Sequence, residues 1–566
     1  MRMNAAACSG VLDHVAAAEI ANPSTRTDVP QPVPPGRQRP LREVWTRHRV
    51  PLLATLPTLP LYALWWAFLA TGGGDLAAQD AWAGFVERHG DSAYNLFWYG
   101  GTHTANYSLM SPYLMAALGV RTVTVVSGVA ATWLAAVLLT RVEGLRRPLG
   151  PALLASFALW CNVASGRTTF ALGVAFGLAA CLLLTRERRI VLAAAYAALA
   201  TMAAAWRLFV VVVGAAHLLA RDRARALALL VPPAVTVGAT TLLFPFKGEQ
   251  LMFMDRIWPP FFLGLAVTAF APRTWRVARW SGVVYAVGTV LTYLLTYLIA
   301  SPIGTNVERF AELFGPAALL AVLLVRPDLA GLRRKLLVFA LVFSIGWGGK
   351  KTADDLYVST VVPGWAAETE SVVRALDRLG ADRTRVEVVP ARNHREASGL
   401  APHVNMARGW NRQLDMERAR LFYDGSFSAT TYRAWLDRWA VGFVVLPLGR
   451  PDGYAKVEAR LVREDRPDWL EPVWQDEHWR VYRVRDAVPL VTEPARVVST
   501  SSADVVVRMS RAGSATVRVA YSPWLHADGG GCLARQGEFT RLTVTAPGEY
   551  RISSEYGPSP ESGSRC

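Results

Sequence analysis

No HExxH, paired CxxC, GxxxxGK[ST] or GxSxG pattern occurs in this sequence. The signatures of a zinc hydrolase, a thiol or zinc-ribbon pair, a phosphate-cradling P-loop and an α/β-hydrolase nucleophile are therefore all missing. Nothing else marks a nucleotide-binding domain, so energy from ATP is not expected. Cysteine is scarce, with 5 in 566 residues. Cys161 and Cys181 fall in apolar runs and read as packing residues. Cys532 and Cys566 are the two cysteines of the C-terminal part and can pair if that part is exported. The start, MRMNAAACSG, lacks the apolar core of a signal peptide, and AAAC fails as a lipobox for the same reason. Acid is scarce as well: residues 1–350 carry 16 Asp+Glu against 31 Lys+Arg, whereas residues 351–566 carry 28 against 29. A nucleic-acid binder gathers basic charge on a soluble face. Here the charge lies in short connections between apolar runs, so no nucleic-acid partner is expected.

What is present is apolar: 52% of the residues are hydrophobic and 20 are Trp. That exceeds the usual content of a soluble domain, and the length exceeds one domain. Residues 1–45, with NPSTRTDVPQPVPPGRQRP, read as a disordered, Pro-rich cytoplasmic arm. Apolar runs follow at about 51–70, 121–140, 150–165, 168–185, 190–205, 208–220, 227–244, 259–272, 281–300, 310–325 and 336–349. The connections RVEGLRRP, RERR, RDRAR, PRTWRVAR and RPDLAGLRRK are denser in arginine than those that alternate with them. The positive-inside rule makes the arginine-dense set cytoplasmic. About 31 residues separate RERR from RDRAR, which as one helix is ~47 Å against a ~30 Å hydrocarbon core. Two short spans with a tip at Arg207 fit better. The expected fold is a polytopic α-helical membrane protein of about eleven transmembrane helices over residues 46–350, in the plasma membrane, with the N-terminus inside and residues beyond 350 outside. Residues 351–490 read as an exported α/β region, with helices in WAAETESVVRALDRLG and SATTYRAWLDRWA and strands in RVEVVP and VGFVVLP. Residues 491–566 alternate apolar and polar as a small β-sandwich.

The first outer loop, residues 71–110, opens with GGGDLAAQD. A carboxylate beside hydrocarbon is costly and usually has a use. Asp75 suits the N-cap of a helix beginning at Leu76, whose Leu76, Phe85 and Val86 face then lies along the membrane surface. Asp75 also suits a general base, waiting where lipid-borne substrates present their head groups. Asp80 shares that role, orients an acceptor, or is solvated. Arginines of the outer connections can hold a departing phosphate; Arg207 and Arg309 are the candidates, drawn from a set that includes Arg167, Lys247 and Arg256. His103 can hydrogen-bond phosphate or sugar, and Trp98 and Tyr99 can stack on a sugar face or sit in an interfacial belt. Arg408 and Trp410, in ARGWNRQLD, can face an acceptor glycan or pin the two halves of the tail.

The short arm, the early acid after one span, the many spans and the large C-terminal region resemble the GT-C superfamily of integral-membrane glycosyltransferases. The segments DLAAQ, WYGGTHTANYSLMSPYL, SGRTTFALGVAFGLA and SPIGTNVERF are similar to a branch akin to bacterial cell-wall arabinofuranosyl- and mannosyltransferases. The resemblance implies a polyprenyl-phosphate sugar donor, a cell-envelope glycan or glycolipid acceptor, and Asp75 as the base. Asp75 has no acid beside it, which departs from that superfamily's paired-acid pattern. No cofactor and no metal ligands are expected, with a divalent metal left open. The alternatives are a transporter or lipid flippase, and a non-catalytic assembly protein that displays its tail.

Overall fold

A computed structural model describes residues 39–186, 189–203, 209–299 and 302–556. By internal contacts the chain divides into residues 1–47 and 48–566. Of the first unit only the start of the helix Arg39–Thr55 is described. Of the expected disordered arm 1–45, residues 1–38 lie outside the described residues and 39–45 begin this helix instead; the tip at Arg207 and one partner of the Cys532–Cys566 pair also lie outside the described residues.

The chain is mostly helical, with strands gathered toward the C-terminus. Each apolar run read from the sequence falls largely in helix. Among the described residues, four helical stretches are long and apolar enough to cross a membrane: His48–Leu69, Val120–Leu139, Arg223–Leu243 and Gly331–Ser359. Others, such as Leu149–Ala164 and Thr168–Leu184, are shorter apolar helices. The first stretch is broken by a turn of 3-10 helix at Leu56–Thr58, where Pro57 and Pro60 supply no N–H donor. Thr58 Oγ1 donates to the Thr55 carbonyl at 2.7 Å. Phe68, Leu242 and Phe339 stand 67%, 83% and 67% exposed on these helices, a surface compatible with lipid rather than water. The helices Trp258–Phe270 and Arg276–Thr296 touch backbone to backbone: a Cβ on Gly264 would lie 2.8 Å from the Gly282 carbonyl oxygen, a small-residue contact typical of helices packed in lipid.

The α/β region holds one sheet in the order Arg385–Val388, Val441–Pro447, Trp479–Val484, Leu470–Gln475, its first pair parallel and the others antiparallel. The single amphipathic helix expected over 365–380 is two, Gly364–Ala367 and Glu370–Arg378. The helix Ala429–Arg438 begins where expected because Ser428 and Thr431 form a reciprocal capping box. Residues 495–554 form two antiparallel sheets of four and three strands, with Val505, Val507, Val517, Val519 and Leu542 buried between them.

The apolar face of the first-loop helix, expected along a membrane surface, is covered by protein. Trp82, Phe85 and Val86 of the helix Asp75–Arg88, followed by Trp98 and Tyr99, are buried in one core with Val386, Val445 and Trp479 of the α/β sheet. The amphipathic pattern was legible; its partner is protein.

Candidate functional site

The helix Asp75–Arg88 starts one residue earlier than the sequence suggested. Gly74, at φ 65°, takes the cap position and no side chain caps the helix. Asp75 is thus the first helical residue, and among the described residues none donates a hydrogen bond to its carboxylate. Gln79, one turn on, donates to the Gly166 carbonyl at 3.2 Å and accepts from the Thr169 amide at 3.4 Å. This anchors the helix to the turn that carries Arg167. That turn needs Gly166 at φ 73°, and a Cβ there would meet Leu76 Cγ at 2.7 Å.

Around Asp75 four cations and three further carboxylates interleave. Arg167 lies 3.5 Å from Asp75, 3.3 Å from Glu312 and 2.9 Å from Asp355. Lys351 bridges Glu308 and Glu312, and Arg256 lies 3.8 Å from Glu308. Arg309 Nη2 is 3.8 Å from Asp75 Oδ2, and its guanidinium stands 5.2 Å over the Phe170 ring. Both contacts of Asp75 exceed the ~2.7–2.9 Å of a charge-assisted hydrogen bond. Arg167 is engaged by hydrogen bonds to Glu312 and Asp355. Among the described residues, none accepts a hydrogen bond from the Arg309 fork.

Asp75, Arg167, Arg309 and Lys351 line a cavity of about 520 Å³. Its opposite wall comes from the α/β region: Trp410, Arg412, Tyr423 and Tyr454. Trp410 lies between the His394 ring, stacked at 3.5 Å, and the Arg412 guanidinium at 5.1 Å. Arg412 is held by the Tyr423 hydroxyl at 2.8 Å and Asp452 at 3.2 Å. Asn306 and Arg309 also line a second, largely apolar cavity of about 180 Å³ between helices, with Phe170, Phe209 and Val284. Of the expected site residues the structure thus brings together Asp75, Arg309 and Trp410.

The others go elsewhere, for identifiable reasons. Asp80 faces Arg395 and Arg121 rather than the cavity, and burial pushes its pKa up to about 6 against the pull of those two arginines. His103 is buried. Its Nε2 lies 2.9 Å from Ser522 Oγ and its Nδ1 3.3 Å from the Ala93 carbonyl, and burial lowers its pKa to about 4, so it is neutral at physiological pH. Trp98 is core, and Tyr99 is a strut whose hydroxyl donates to Asp415 at 2.6 Å. Arg408 is buried between Glu387 and Glu458, with Nε 2.8 Å from Glu387. It pins the tail and cannot reach a glycan. Arg207 lies outside the described residues. Among the described residues, no group of three or more His, Cys, Asp or Glu side chains is arranged to hold a metal ion.

Arg395 positions the loop that delivers Asp75. Its guanidinium donates to the carbonyl and hydroxyl of Thr71 and to the Ser359 carbonyl, tying the loop to the end of the helix Gly331–Ser359. Gly73 is wedged against this clamp: a Cβ there would lie 2.6 Å from Ser359 O and 2.9 Å from Arg395 Nη2. Gly73→Ala is expected to cost about 1–3 kcal/mol by overpacking, read as a lowered thermal midpoint of the purified protein. Asp80 gives a pH signature. Its folded pKa is raised, so its contribution is fully favourable below pH ~4 and is lost as pH rises through ~6. Asp80→Asn is expected to gain about 2 kcal/mol near pH 7, nothing near pH 4, and to flatten the melting curve's pH dependence between them.

Residues 492–566 match the profile of a domain of unknown function (DUF8823). The match covers the two-sheet C-terminal domain and none of the residues around Asp75. No curated protein matches the chain.

Proposed function

We propose that the protein is a membrane glycosyltransferase of GT-C type. It moves a sugar from a polyprenyl-phosphate donor to a cell-envelope glycan or glycolipid, with about eleven spans and the α/β region on the outer face. The observation that carries the reading is one pair: a carboxylate and a guanidinium, Asp75 and Arg309, 3.8 Å apart on one cavity wall. Neither hydrogen-bonds to another described residue. In this reading an acceptor hydroxyl attacks the anomeric carbon while Asp75 takes its proton. The bond from that carbon to the phosphate oxygen breaks, and the polyprenyl phosphate leaves with its new charge on Arg309, whose planar fork matches phosphate. Attack opposite the leaving group inverts the anomeric centre. Trp410, held by His394 and Arg412, lines the cavity where the acceptor sugar sits in this reading. The apolar cavity that shares Arg309 supports a lipid-linked donor.

A transporter would draw support from Glu312, Lys351 and Asp355, ionisable groups inside apolar helices. They lie in the first turns of Glu308–Val325 and the last turns of Gly331–Ser359, however, not at mid-helix where a carried solute would be held.

The test is transfer by the purified, vesicle-reconstituted protein from polyprenyl-phosphate arabinofuranose or mannose to a synthetic envelope glycan. The expected result is release of polyprenyl phosphate that requires acceptor, Asp75 and Arg309. Equal release by Arg309→Gln and wild type would contradict the assignment of Arg309.

A further inference from the structure

Beside the first cavity lies another of about 350 Å³, within the range of ligand clefts (~300–1,000 Å³). Its walls come from the first loop, the connection at Lys247, the ends of the helices Arg412–Arg418 and Ala429–Arg438, and residues 520–538 of the C-terminal domain. The two cavities share a wall one residue thick. Asn106 lines both, while Phe246 and Met416 line the first and the next residues, Lys247 and Glu417, line the second. The Asn106 amide hydrogen-bonds to no other described residue, so it can serve a ligand that extends across both.

The second cavity carries more positive than negative charge. Arg438 and Glu538 neutralise each other through two 2.6 Å hydrogen bonds. Arg418 is held by the Tyr99 and Gly101 carbonyls at 2.6 and 2.7 Å, with Glu417 at 3.7 Å. Glu417 also lines this cavity. Lys247 and Arg535 pair with no carboxylate among the described residues, and Arg535 stands 5.5 Å over the Tyr521 ring. Two uncommitted cations, an aromatic ring and a free amide suit a polyhydroxylated ligand bearing an oxyanion.

We propose that this second cavity binds an anionic sugar unit of the acceptor glycan, one bearing a carboxylate or a phosphate, a unit away from the sugar that presents its hydroxyl to Asp75. The proposal rests on the transferase reading for the word acceptor, but the binding itself does not require chemistry at Asp75. Lys247 and Arg535 hold the anion, and Tyr521 and Asn106 contact the ring.

The experiment uses the full-length protein in detergent at low ionic strength, because screening weakens exposed charges. The probes are methyl β-glucuronide, glucose 6-phosphate, methyl β-glucoside and inorganic phosphate, followed by calorimetry. One or both anionic sugars are expected to bind wild type and Asp75→Asn alike, and to bind Lys247→Gln/Arg535→Gln at least tenfold more weakly. The charge-retaining Lys247→Arg/Arg535→Lys is expected to restore binding, which separates lost charge from lost folding. Methyl β-glucoside is expected to bind at least tenfold more weakly than the better anionic sugar. The glucuronide arm and the sugar-phosphate arm decide between carboxylate and phosphate. Equal binding by wild type and the Gln pair overturns the site, and inorganic phosphate binding as tightly as the sugars reduces it to a bare anion site and overturns the saccharide. If Asp75→Asn retains full transfer while the probes behave as expected, the transferase mechanism fails and the saccharide site stands.

Discussion

Asp75→Asn is expected to lower transfer by about 10²–10⁴, the usual contribution of a positioned general base, while the protein accumulates and melts as wild type does. Asparagine keeps the shape and polarity of the side chain and removes only its basicity. The fold should tolerate it, because Gly74 rather than Asp75 occupies the cap and no described residue donates a hydrogen bond to the carboxylate. Two cations near it, Arg167 at 3.5 Å and Arg309 at 3.8 Å, lose an attraction that their other surroundings partly replace. Asp75→Ser serves as a second variant without a carboxylate, and a smaller one. Activity retained in the serine variant would mean that the carboxylate is structural.

The second large effect concerns stability. Lys351→Met is expected to cost about 3–5 kcal/mol, because removing one partner of a buried ion pair leaves the other charge uncompensated. Lys351 is the cation that bridges Glu308, which is 2% exposed, and Glu312, which is 11% exposed. Glu312 retains Arg167 at 3.3 Å, so the greater part of the loss falls on Glu308, where among the described residues Arg256 at 3.8 Å remains. Adding Glu308→Gln to Lys351→Met should recover most of the lost melting temperature. A Lys351→Met protein that melts as wild type would show that the network is solvated and contributes little.

The helices were legible because apolar runs bounded by arginine-rich connections need only composition to be seen. Asp75 was legible too, as an acid where acids are rare. Lys351 and Asp355 were not, since a reading that ends the last span near residue 349 assigns them to the tail. In the structure the helix continues to Ser359 and returns both to the site. A local signal was present: Glu308 and Glu312, and likewise Lys351 and Asp355, are four apart and therefore share a helix face. Trp98 and Tyr99 were misread because an aromatic pair in a loop has the same pattern whether it meets a sugar or a sheet. Only the tertiary contact with Val386 and Trp479 decides it. Arg408 failed for a related reason. Its partners Glu387 and Glu458 are 21 and 50 residues away, beyond any local motif.

The measurement that bears most directly on Asp75 as the base is glycan linkage analysis of the cell envelope in a strain lacking this protein. Wild type and Asp75→Asn are each restored to matched levels. One linkage is expected to disappear in the deletion, to return with wild type and to stay missing with Asp75→Asn. Full restoration by Asp75→Asn would contradict the role of Asp75 as the base and leave the cavity to transport or assembly.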